Sequence, residues 1–230
     1  QVLRMIKGSA DAEIALGTPT ISGKDSTSME RSYQSTETGE EVLVKARPVL
    51  MMSSVGVVKD DSTLTTCDFK LPGDFVYVVG ETKDELGASE FYAQQEEVGR
   101  NVPKSDLEEI KSSYVDMSKV IKDGTIHSAQ YVSRGGLFYG LTNPAMAGDL
   151  GVDINLDSLD ENLGQAEKIL GSETTGRFVV TVSKKQASNF EMMMVQQYVK
   201  RVGIVREDDQ FKVRYQGKEI IHTDVSTLRE

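Results

Sequence analysis

The sequence predicts a mixed fold of α-helices and β-strands, arranged as one large domain or two small ones. The chain has 230 residues, of which 38% are apolar and 27% are charged, a composition typical of a soluble protein with a substantial hydrophobic core. Apolar residues recur every three or four positions between 107 and 121, which is the spacing of an amphipathic helix. Between 211 and 215 they instead alternate with polar residues, as in a half-buried strand.

Residues 1–70 predict a helix followed by short extended segments. In chain order we expect a helix over 1–16, a short strand over 18–21 that enters a glycine loop, and an irregular or helix-end segment over 30–38. These are followed by a strand over 41–45, a buried strand or strand pair over 50–58, and a strand over 63–70. Asp60 and Asp61 mark a turn before the last strand; the pair could help to hold a metal, but a solvated turn is the preferred interpretation. The turn at Pro72 and Gly73 places a domain boundary near Leu71.

Residues 71–230 predict alternating strands and helices. We expect a strand over 75–79, a helix opening at 87–90, a helix from Ser105 to Gly124, an extended run over 125–132, a helix after 136, a strand over 151–156, an acidic loop over 157–164, a strand over 177–182, a helix after 183, a strand over 203–205 and a hairpin over 211–222. Ser105 and Glu108 match a capping box. Pro144 predicts an early end or a kink in its helix.

Charge and cysteine content exclude several classes of protein. The formal net charge is −10 and the isoelectric point about 4.9, whereas a general nucleic-acid binder would be basic, because it must neutralise phosphates. Cys67 is the single cysteine, so no intrachain disulfide is possible, in agreement with a reducing cytoplasmic location. No apolar run reaches the roughly 18 residues of a membrane span, and no signal peptide precedes the fold. Because the chain opens at Gln1 in what resembles the middle of a domain, we expect it to be a fragment.

The first candidate site is the polar turn within Thr18–Met29. Gly23 lets a charged ligand approach its backbone N–H, and Lys24 supplies a point charge suited to a phosphate. Asp25 is a hard oxygen ligand of the kind that Mg²⁺ prefers, and Ser26 is one of three serines, with Ser22 and Ser28, that add hydroxyl groups. These groups suit a nucleotide–Mg²⁺ site. The alternative is a solvated surface turn, and the spacing of a Walker A loop is absent.

The second candidate site is Ser133-Arg134-Gly135-Gly136, between a predicted strand and a predicted helix. Paired glycines there would expose N–H groups at the positive end of the helix dipole, which favours anions. Arg134 could add a bidentate donor. The alternative is a tight strand–helix turn with an exposed arginine.

The two histidines predict no acid–base site. His127 and His222 are 95 residues apart, and the sequence shows no acid or base partner for either, so both are interpreted as structural. No Ser-His-Asp, zinc or haem signature is present. We therefore assign no catalytic residue.

Four segments together resemble one enzyme family. They are Thr18–Met29 (TPTISGKDSTSM), Pro72–Tyr92 (PGDFVYVVGETKDELGASEFY), Ile126–Leu137 (IHSAQYVSRGGL) and Ser172–Val182 (SETTGRFVVTV). In order and spacing they resemble the C-terminal half of the phosphoribosylformylglycinamidine synthase family. That family belongs to the ATP-binding superfamily that includes aminoimidazole ribonucleotide (AIR) synthetase and selenophosphate synthetase. The resemblance covers nearly the whole chain; each motif alone is modest, but four in register are specific.

The resemblance implies an α/β and α+β architecture. Residues 1–70 would be the C-terminal part of an AIR synthase-like N-terminal, ATP-binding domain, and residues 71–230 an AIR synthase-like C-terminal domain. The first half of the enzyme, with its general-base histidine, would lie upstream. The glutaminase would be a further domain or a separate subunit. Truncation would expose sheet edges and the apolar surface that faces the missing part, so we also expect self-association, with a homodimer as one form.

The resemblance also implies a reaction, the fourth step of purine biosynthesis. ATP phosphorylates the amide oxygen of formylglycinamide ribonucleotide, and ammonia released from glutamine displaces the phosphate to give the amidine. ATP and Mg²⁺ are the implied cofactors. Positive groups in the loops would neutralise the charge that moves between phosphates.

Carried over residue by residue, the resemblance supports part of each candidate site. Gly23 and Ser26 match positions that contact ATP or substrate. Other members have GNVS where this chain has GKDS, with the Asn on Mg²⁺. Lys24 cannot ligate the metal as Asn does, so Asp25 is the candidate metal ligand.

The second loop departs further from the family pattern HDxSxGG, whose Asp binds Mg²⁺. Tyr131 stands at that position, so the carboxylate is lost, while Ser133, Gly135 and Gly136 are retained and Arg134 lies between them. Three hypotheses remain: a fragment of the synthase, a non-catalytic scaffold half that holds a structural nucleotide, or another superfamily member with a different substrate. On the first hypothesis the 230 residues alone have no synthase activity.

Overall fold

The computed structural model describes residues 1–26, 29–160 and 162–230, which divide into two compact units, 1–58 and 59–230. The helices are α1 (Val2–Leu16), α2 (Glu90–Ala93), α3 (Leu107–Lys122), α4 (Gly136–Gly148), α5 (Ala166–Gly171) and α6 (Ala187–Met193). The strands are β1 (Glu30–Gln34), β2 (Glu41–Lys45), β3 (Phe75–Val79), β4 (Ser128–Val132), β5 (Val152–Asn155), β6 (Arg177–Val182), β7 (Val199–Val205), β8 (Gln210–Tyr215) and β9 (Lys218–Asp224).

The first unit consists of helix α1 and a two-stranded sheet. The predicted helix over 1–16 is confirmed; α1 ends where Gly17 takes a left-handed conformation and donates its N–H to the carbonyl of Glu13. Strand β2 was predicted and is confirmed. It pairs antiparallel with β1, with Glu30 opposite Lys45.

Three predictions in this unit are wrong. Residues 18–21 and 50–58 form no strand and are exposed, and the segment expected to be irregular contains β1. The apolar run over 50–58 predicted burial, but a strand needs a neighbouring backbone for its hydrogen bonds. Here β1 and β2 pair with each other, whereas the side chains of Met51, Val55 and Val57 are exposed.

The second unit is built on a seven-stranded sheet in the order β4-β6-β3-β7-β5-β8-β9. The pairs are antiparallel except for β5 and β8, which run parallel. The interior strand β3 is buried on both faces. Val76 and Val78 point into a core shared with α4 and α5, whereas Tyr77 and Val79 point into a second core shared with α3 and α6. The sheet therefore lies between two helical layers.

Most predictions in this unit are confirmed, namely β3, α3, β4, β5, β6, the hairpin of β8 and β9, and a helix after residue 136. The predicted strand over 63–70 is wrong, because the chain forms a short 3₁₀ turn and then loops.

Asp106, and not Ser105, caps α3, and its carboxylate accepts the N–H groups of Glu108 and Glu109. Helix α4 continues past Pro144 to Gly148, and both Pro144 and the next residue are buried in the core, which stabilises this last turn.

Among the residues that the structure describes, no helix is both long enough and apolar enough to cross a bilayer. Cys67 is a free, half-buried thiol.

Candidate functional site

The loop at Gly23 lies in the first unit, and its described residues are exposed. Lys24 donates through Nζ to the backbone carbonyl of Asp25 and to Ser26 Oγ, the latter at 3.3 Å. Among the described residues other than Gly23 and its two chain neighbours, no atom comes within 4 Å of the position that a Cβ on Gly23 would take. An ammonium and a hydroxyl in contact on an open loop form a donor pair that fits an anion such as a phosphate. The expected hydroxyl of Ser28 lies outside the described residues.

Asp25 was expected to ligate Mg²⁺. Across 1–26, 29–160 and 162–230, no group of three or more His, Cys, Asp or Glu side chains could hold a metal ion. The chain thus provides no all-protein cage in these ranges. Mg²⁺ is usually held by one or two carboxylates together with substrate phosphates, and the single exposed carboxylate of Asp25 fits that mode.

The second loop joins β4 to α4 in the second unit and brings Ser133, Arg134, Gly135 and Gly136 together. Gly135 is the N-cap of α4, with φ at +83°, and Gly136 has φ at +65°. A Cβ on Gly136 would lie 2.5 Å from the carbonyl oxygen of Leu170. Both glycines are therefore required by the local backbone.

The backbone N–H groups of the two glycines in this loop are already engaged within the chain. The N–H of Gly135 donates to Glu173 Oε1 at 2.9 Å, and that of Gly136 donates to the carbonyl of Ser133 at 3.0 Å. Ser133 is exposed, and the side chain of Arg134 is 81% exposed while it donates through Nε to Glu90. A ligand arriving from solvent can thus reach Ser133 and Arg134, whereas the two glycine amides hold the loop in place.

Glu173 was not predicted as a functional residue. Its Oε1 also accepts the backbone N–H of Glu90, the first residue of α2, at 2.9 Å. One carboxylate oxygen therefore binds the start of α2 and the N-cap of α4, where a negative charge is stabilised by backbone N–H groups. The SETTGR motif was part of the resemblance, but nothing local marks its glutamate as a partner for a glycine 38 positions earlier.

Arg177 was also missed, and it is fully buried. Its guanidinium donates to the carbonyl of Thr174 at 3.0 Å, to Thr82 Oγ1 at 2.9 Å and to the carbonyl of Ser172. Burial lowers the pKa of Arg177 to about 10, although the nearby charge of Glu85 opposes this shift. The guanidinium thus stays charged at neutral pH and holds the backbone on both sides of Glu173.

Tyr131 stands at the position where the family resemblance implied a metal-binding Asp, and it makes packing and hydrogen-bond contacts within the chain. Its hydroxyl accepts the N–H of Gly176 at 3.2 Å. Its ring packs edge-on against Tyr114 and Phe178, with ring centroids 6.3 and 5.3 Å away. Burial, reinforced by the Tyr131 hydroxyl, raises the pKa of Tyr114. The phenol of Tyr131 thus joins β4 to the segment that precedes β6.

Both histidines have acidic partners that were not visible in the sequence. His127 Nδ1 lies 2.6 Å from Oδ2 of the buried Asp74, and His222 Nδ1 lies 2.8 Å from Glu219 Oε1. His127 is 53 positions from its partner, which pattern analysis could not connect. Glu219 is three residues from its histidine. Residues three apart on a strand point to opposite faces, so the predicted strand did not suggest this contact.

The comparisons with known proteins cover the whole chain. The PurL subunit of phosphoribosylformylglycinamidine synthase from Methanocaldococcus jannaschii is 29% identical over 234 residues, covering 100% of this chain and 31% of its own length. The same subunit from Leuconostoc mesenteroides is 33% identical over 210 residues, covering 90% of this chain and 26% of its own length. The chain thus spans about a third or less of the length of these curated relatives.

Solved structures show the same fold. Thermotoga maritima PurL complexed with FGAR superposes with a TM-score of 0.73 at 20% identity, covering 97% of this chain and 36% of that one. PurL of the same organism complexed with ATP gives a TM-score of 0.58 at 20% identity over 73% of this chain and 27% of that one.

The sequence also matches a domain family directly. Residues 72–216 match the family described as AIR synthase related protein, C-terminal domain. This stretch contains β3, α3, β4, α4 and β6, and with them the Ser133–Gly136 loop and its partners Glu173 and Arg177. The chain therefore belongs to the AIR synthase related protein family, through the C-terminal domain of that family.

Proposed function

We propose that this chain is part of a phosphoribosylformylglycinamidine synthase, an ATP-dependent, C–N bond-forming ligase of purine biosynthesis that takes its ammonia from glutamine. The observation that supports this most is the similarity of all 230 residues to a synthase subunit PurL. The fold shared with T. maritima PurL over 97% of the chain agrees with it. The substrate would be formylglycinamide ribonucleotide, whose abbreviation is FGAR.

On this proposal the two loops bind anionic groups. Lys24 and Ser26 would donate to phosphates of ATP, and Asp25 would hold Mg²⁺ together with those phosphates. Ser133 and Arg134 are the exposed members of the second loop, so they would contact a phosphate-bearing ligand, with Gly135 and the other loop glycine shaping the backbone. Bound Mg²⁺ would neutralise charge on the transferred phosphoryl group.

The second candidate function is a non-catalytic half that holds a structural nucleotide. Tyr131 favours it, because this residue supplies a phenol in an aromatic cluster where other members of the family have a metal-binding carboxylate. The two candidates differ in whether bound ATP is turned over. Another superfamily activity would differ in substrate, and would leave FGAR unbound.

The partners on this proposal are the remaining half of the synthase and a glutaminase domain or subunit, in the cytoplasm. The first unit exposes apolar side chains that would suit such an interface, including Leu3, Ile14, Ile21, Val55 and Val57. Without the partner half, these side chains would favour a homodimer. Light scattering across a concentration series measures this directly.

Calorimetric titration of the chain tests the proposal. ATP with Mg²⁺, ADP with Mg²⁺, and FGAR are titrated into the wild type, Lys24→Ala, and Lys7→Ala as an exposed control on α1. We expect nucleotide affinity to fall about tenfold in Lys24→Ala, as a lost charge-assisted hydrogen bond predicts, and to stay unchanged in Lys7→Ala. Binding of FGAR separates the synthase from other superfamily activities.

A second assay follows labelled ATP and the amidine product with ammonium as nitrogen donor. Turnover by the assembled enzyme that depends on Lys24 supports a catalytic site. Bound but unhydrolysed ATP supports the structural nucleotide. Amidine formation by the 230 residues alone would contradict the fragment interpretation.

A further inference from the structure

The segment Ser172–Arg177 packs directly against the start of α4. A Cβ on Gly136 would lie 2.7 Å from the carbonyl oxygen of Ser172, so the two backbones are in contact with no space for a side chain between them. The hydroxyl of Ser172 donates to the carbonyl of Lys83 at 2.6 Å, which ties the segment to a third part of the unit. Any movement of Ser172–Arg177 would therefore be transmitted to the Ser133–Gly136 loop.

A single carboxylate connects this segment to the loop. Glu173 is half-buried, and its Oε1 accepts the N–H groups of Gly135 and Glu90, each at 2.9 Å. These are charge-assisted hydrogen bonds, which are shorter and stronger than neutral ones. The position that an external anion would take at the N-terminus of the 13-residue helix α4 is therefore already taken by the protein itself.

The backbone that carries the Glu173 carboxylate is itself held by hydrogen bonds. Arg177 donates to the carbonyl groups of Ser172 and Thr174, the residues before and after Glu173 in the chain. The backbone N–H of Glu173 donates to the carbonyl of Glu85 at 3.2 Å. The side chain of Glu173 thus starts from a backbone that is fixed on both sides.

Glu90 completes the arrangement, because one of its groups bonds to Glu173 and another bonds to the loop. Its backbone N–H donates to Glu173, while its carboxylate accepts from Arg134, and both acidic side chains raise the pKa of Arg134, with Glu90 contributing most. Arg134 is thereby oriented although its side chain is largely exposed.

We propose that Glu173 is a positioning residue, which holds the Ser133–Gly136 loop through the N–H of Gly135 so that Ser133 and Arg134 are oriented toward a phosphate-bearing ligand. The inference rests on the proposed function, because FGAR is the phosphate-bearing ligand of that function. On this inference the phosphate binds to the exposed side chains of Ser133 and Arg134, and not to the backbone N–H groups of the glycines at the start of α4. Glu173 acts through the loop without contacting the ligand.

The test uses the chain with Glu173→Ala, which removes the acceptor, and Glu173→Gln, which keeps an acceptor oxygen without the charge. Glu108→Gln is the control, since Glu108 is an exposed carboxylate in the first turn of another helix, α3. Hydrogen exchange by NMR reports the amides of Gly135 and Glu90 without any ligand. We expect exchange to accelerate about tenfold to a hundredfold in Glu173→Ala, as the loss of a hydrogen bond to a charged group predicts. It should accelerate less in Glu173→Gln and stay unchanged in Glu108→Gln.

Titration with FGAR then separates positioning from a purely structural role. We expect the affinity for FGAR to fall about tenfold in Glu173→Ala and to be partly restored in Glu173→Gln. If Glu173→Ala binds FGAR with the affinity of the wild type, the inference is overturned while the proposed function stands. A wild type that does not bind FGAR when it is assembled with the remaining half of the synthase would overturn both. If Glu173→Ala does not fold, the comparison of Glu173→Gln with Glu108→Gln decides by the same criteria.

Discussion

The carboxylate of Glu173 accepts the backbone N–H of Gly135 at 2.9 Å, across 38 positions of the chain. This bond changes how the glycine-rich turn is understood. The sequence left two interpretations open, exposed amides that would receive an external anion or a tight strand–helix turn with an exposed arginine. In the fold, the protein supplies the anion itself, and the side chains of the loop remain available for binding.

Substitution of Gly136 should destabilise the second unit strongly. An alanine there would combine a positive φ of 65° with a Cβ 2.5 Å from the carbonyl oxygen of Leu170, so the backbone would have to move. Gly124→Ala is the matched control, because Gly124 has nearly the same φ, +67°, and open space around the Cβ position. We expect the free energy of unfolding to fall by about 1–3 kcal/mol in the control from backbone strain alone, and by more in Gly136→Ala. Equal losses in urea denaturation would show that the close contact is absent.

Loss of the Arg177 guanidinium should cost more stability than loss of an exposed one. Arg177→Met keeps an apolar stem but leaves the carbonyl groups of Ser172 and Thr174 without their donors and the charge of Glu85 less compensated. We expect the free energy of unfolding to fall by about 3–5 kcal/mol, as for other disrupted buried charge networks. Arg134→Met is the control and should change stability little, since Arg134 is exposed. Thermal and denaturant unfolding measure both variants; a stable Arg177→Met protein would contradict the assigned network.

The hydrogen bond from Tyr215 to Asp160 should be visible in the acid titration of that carboxylate. The Tyr215 hydroxyl is the main cause that lowers the pKa of Asp160, followed by the backbone N–H of Gly164. Tyr215→Phe should therefore raise the pKa of Asp160 toward its ordinary value, as measured by NMR. Asp116, whose pKa is lowered chiefly by Lys119, serves as the internal control and should not move.

The same shift has a consequence for stability. Because the folded pKa of Asp160 is lowered, its contribution is present above the pKa of the unfolded carboxyl, about 3.9, and is lost as the pH falls through the folded value. Wild type should therefore lose more stability than Tyr215→Phe when the pH is lowered from 5 to about 2. Equal acid sensitivity would show that the bond does not persist in solution.

Limited proteolysis should separate the two units between residues 46 and 59. This stretch is exposed and has no regular structure, which favours cleavage, and it ends at the trypsin site Lys59. Arg47 is not a trypsin site, because Pro48 follows it. Lys70, at the boundary that the sequence suggested, follows the buried Phe69, whose N–H donates to the carbonyl of Pro144. We expect trypsin to cut after Lys59 and to spare Lys70. Mass spectrometry of the resistant fragment decides, and an N-terminus directly after Lys70 would support the sequence-based boundary instead.

Local patterns in the sequence were sufficient for most segments that pack in the sheet of the second unit or against it. The alternation in β8 and the helical spacing in α3 persist in the fold, because each of these elements buries one face. The same reasoning was wrong over 50–58, where an apolar run has no strand beside it in its unit and is exposed. The capping residue of α3 was misassigned by one position, since Ser105 and Asp106 are both good caps by type.

Local residue patterns were enough to indicate the family, the order of most strands and helices, and the position of a glycine-rich turn between β4 and α4. The packed fold was needed to show which donors of that turn are free, and that Asp74 is the partner of His127. It was also needed to show that Arg177 is a buried charge that holds the backbone around Glu173. Helix and strand periodicity depends on neighbours along the chain, whereas Glu173, Gly135 and Arg177 act through hydrogen bonds that form only once separate elements pack together.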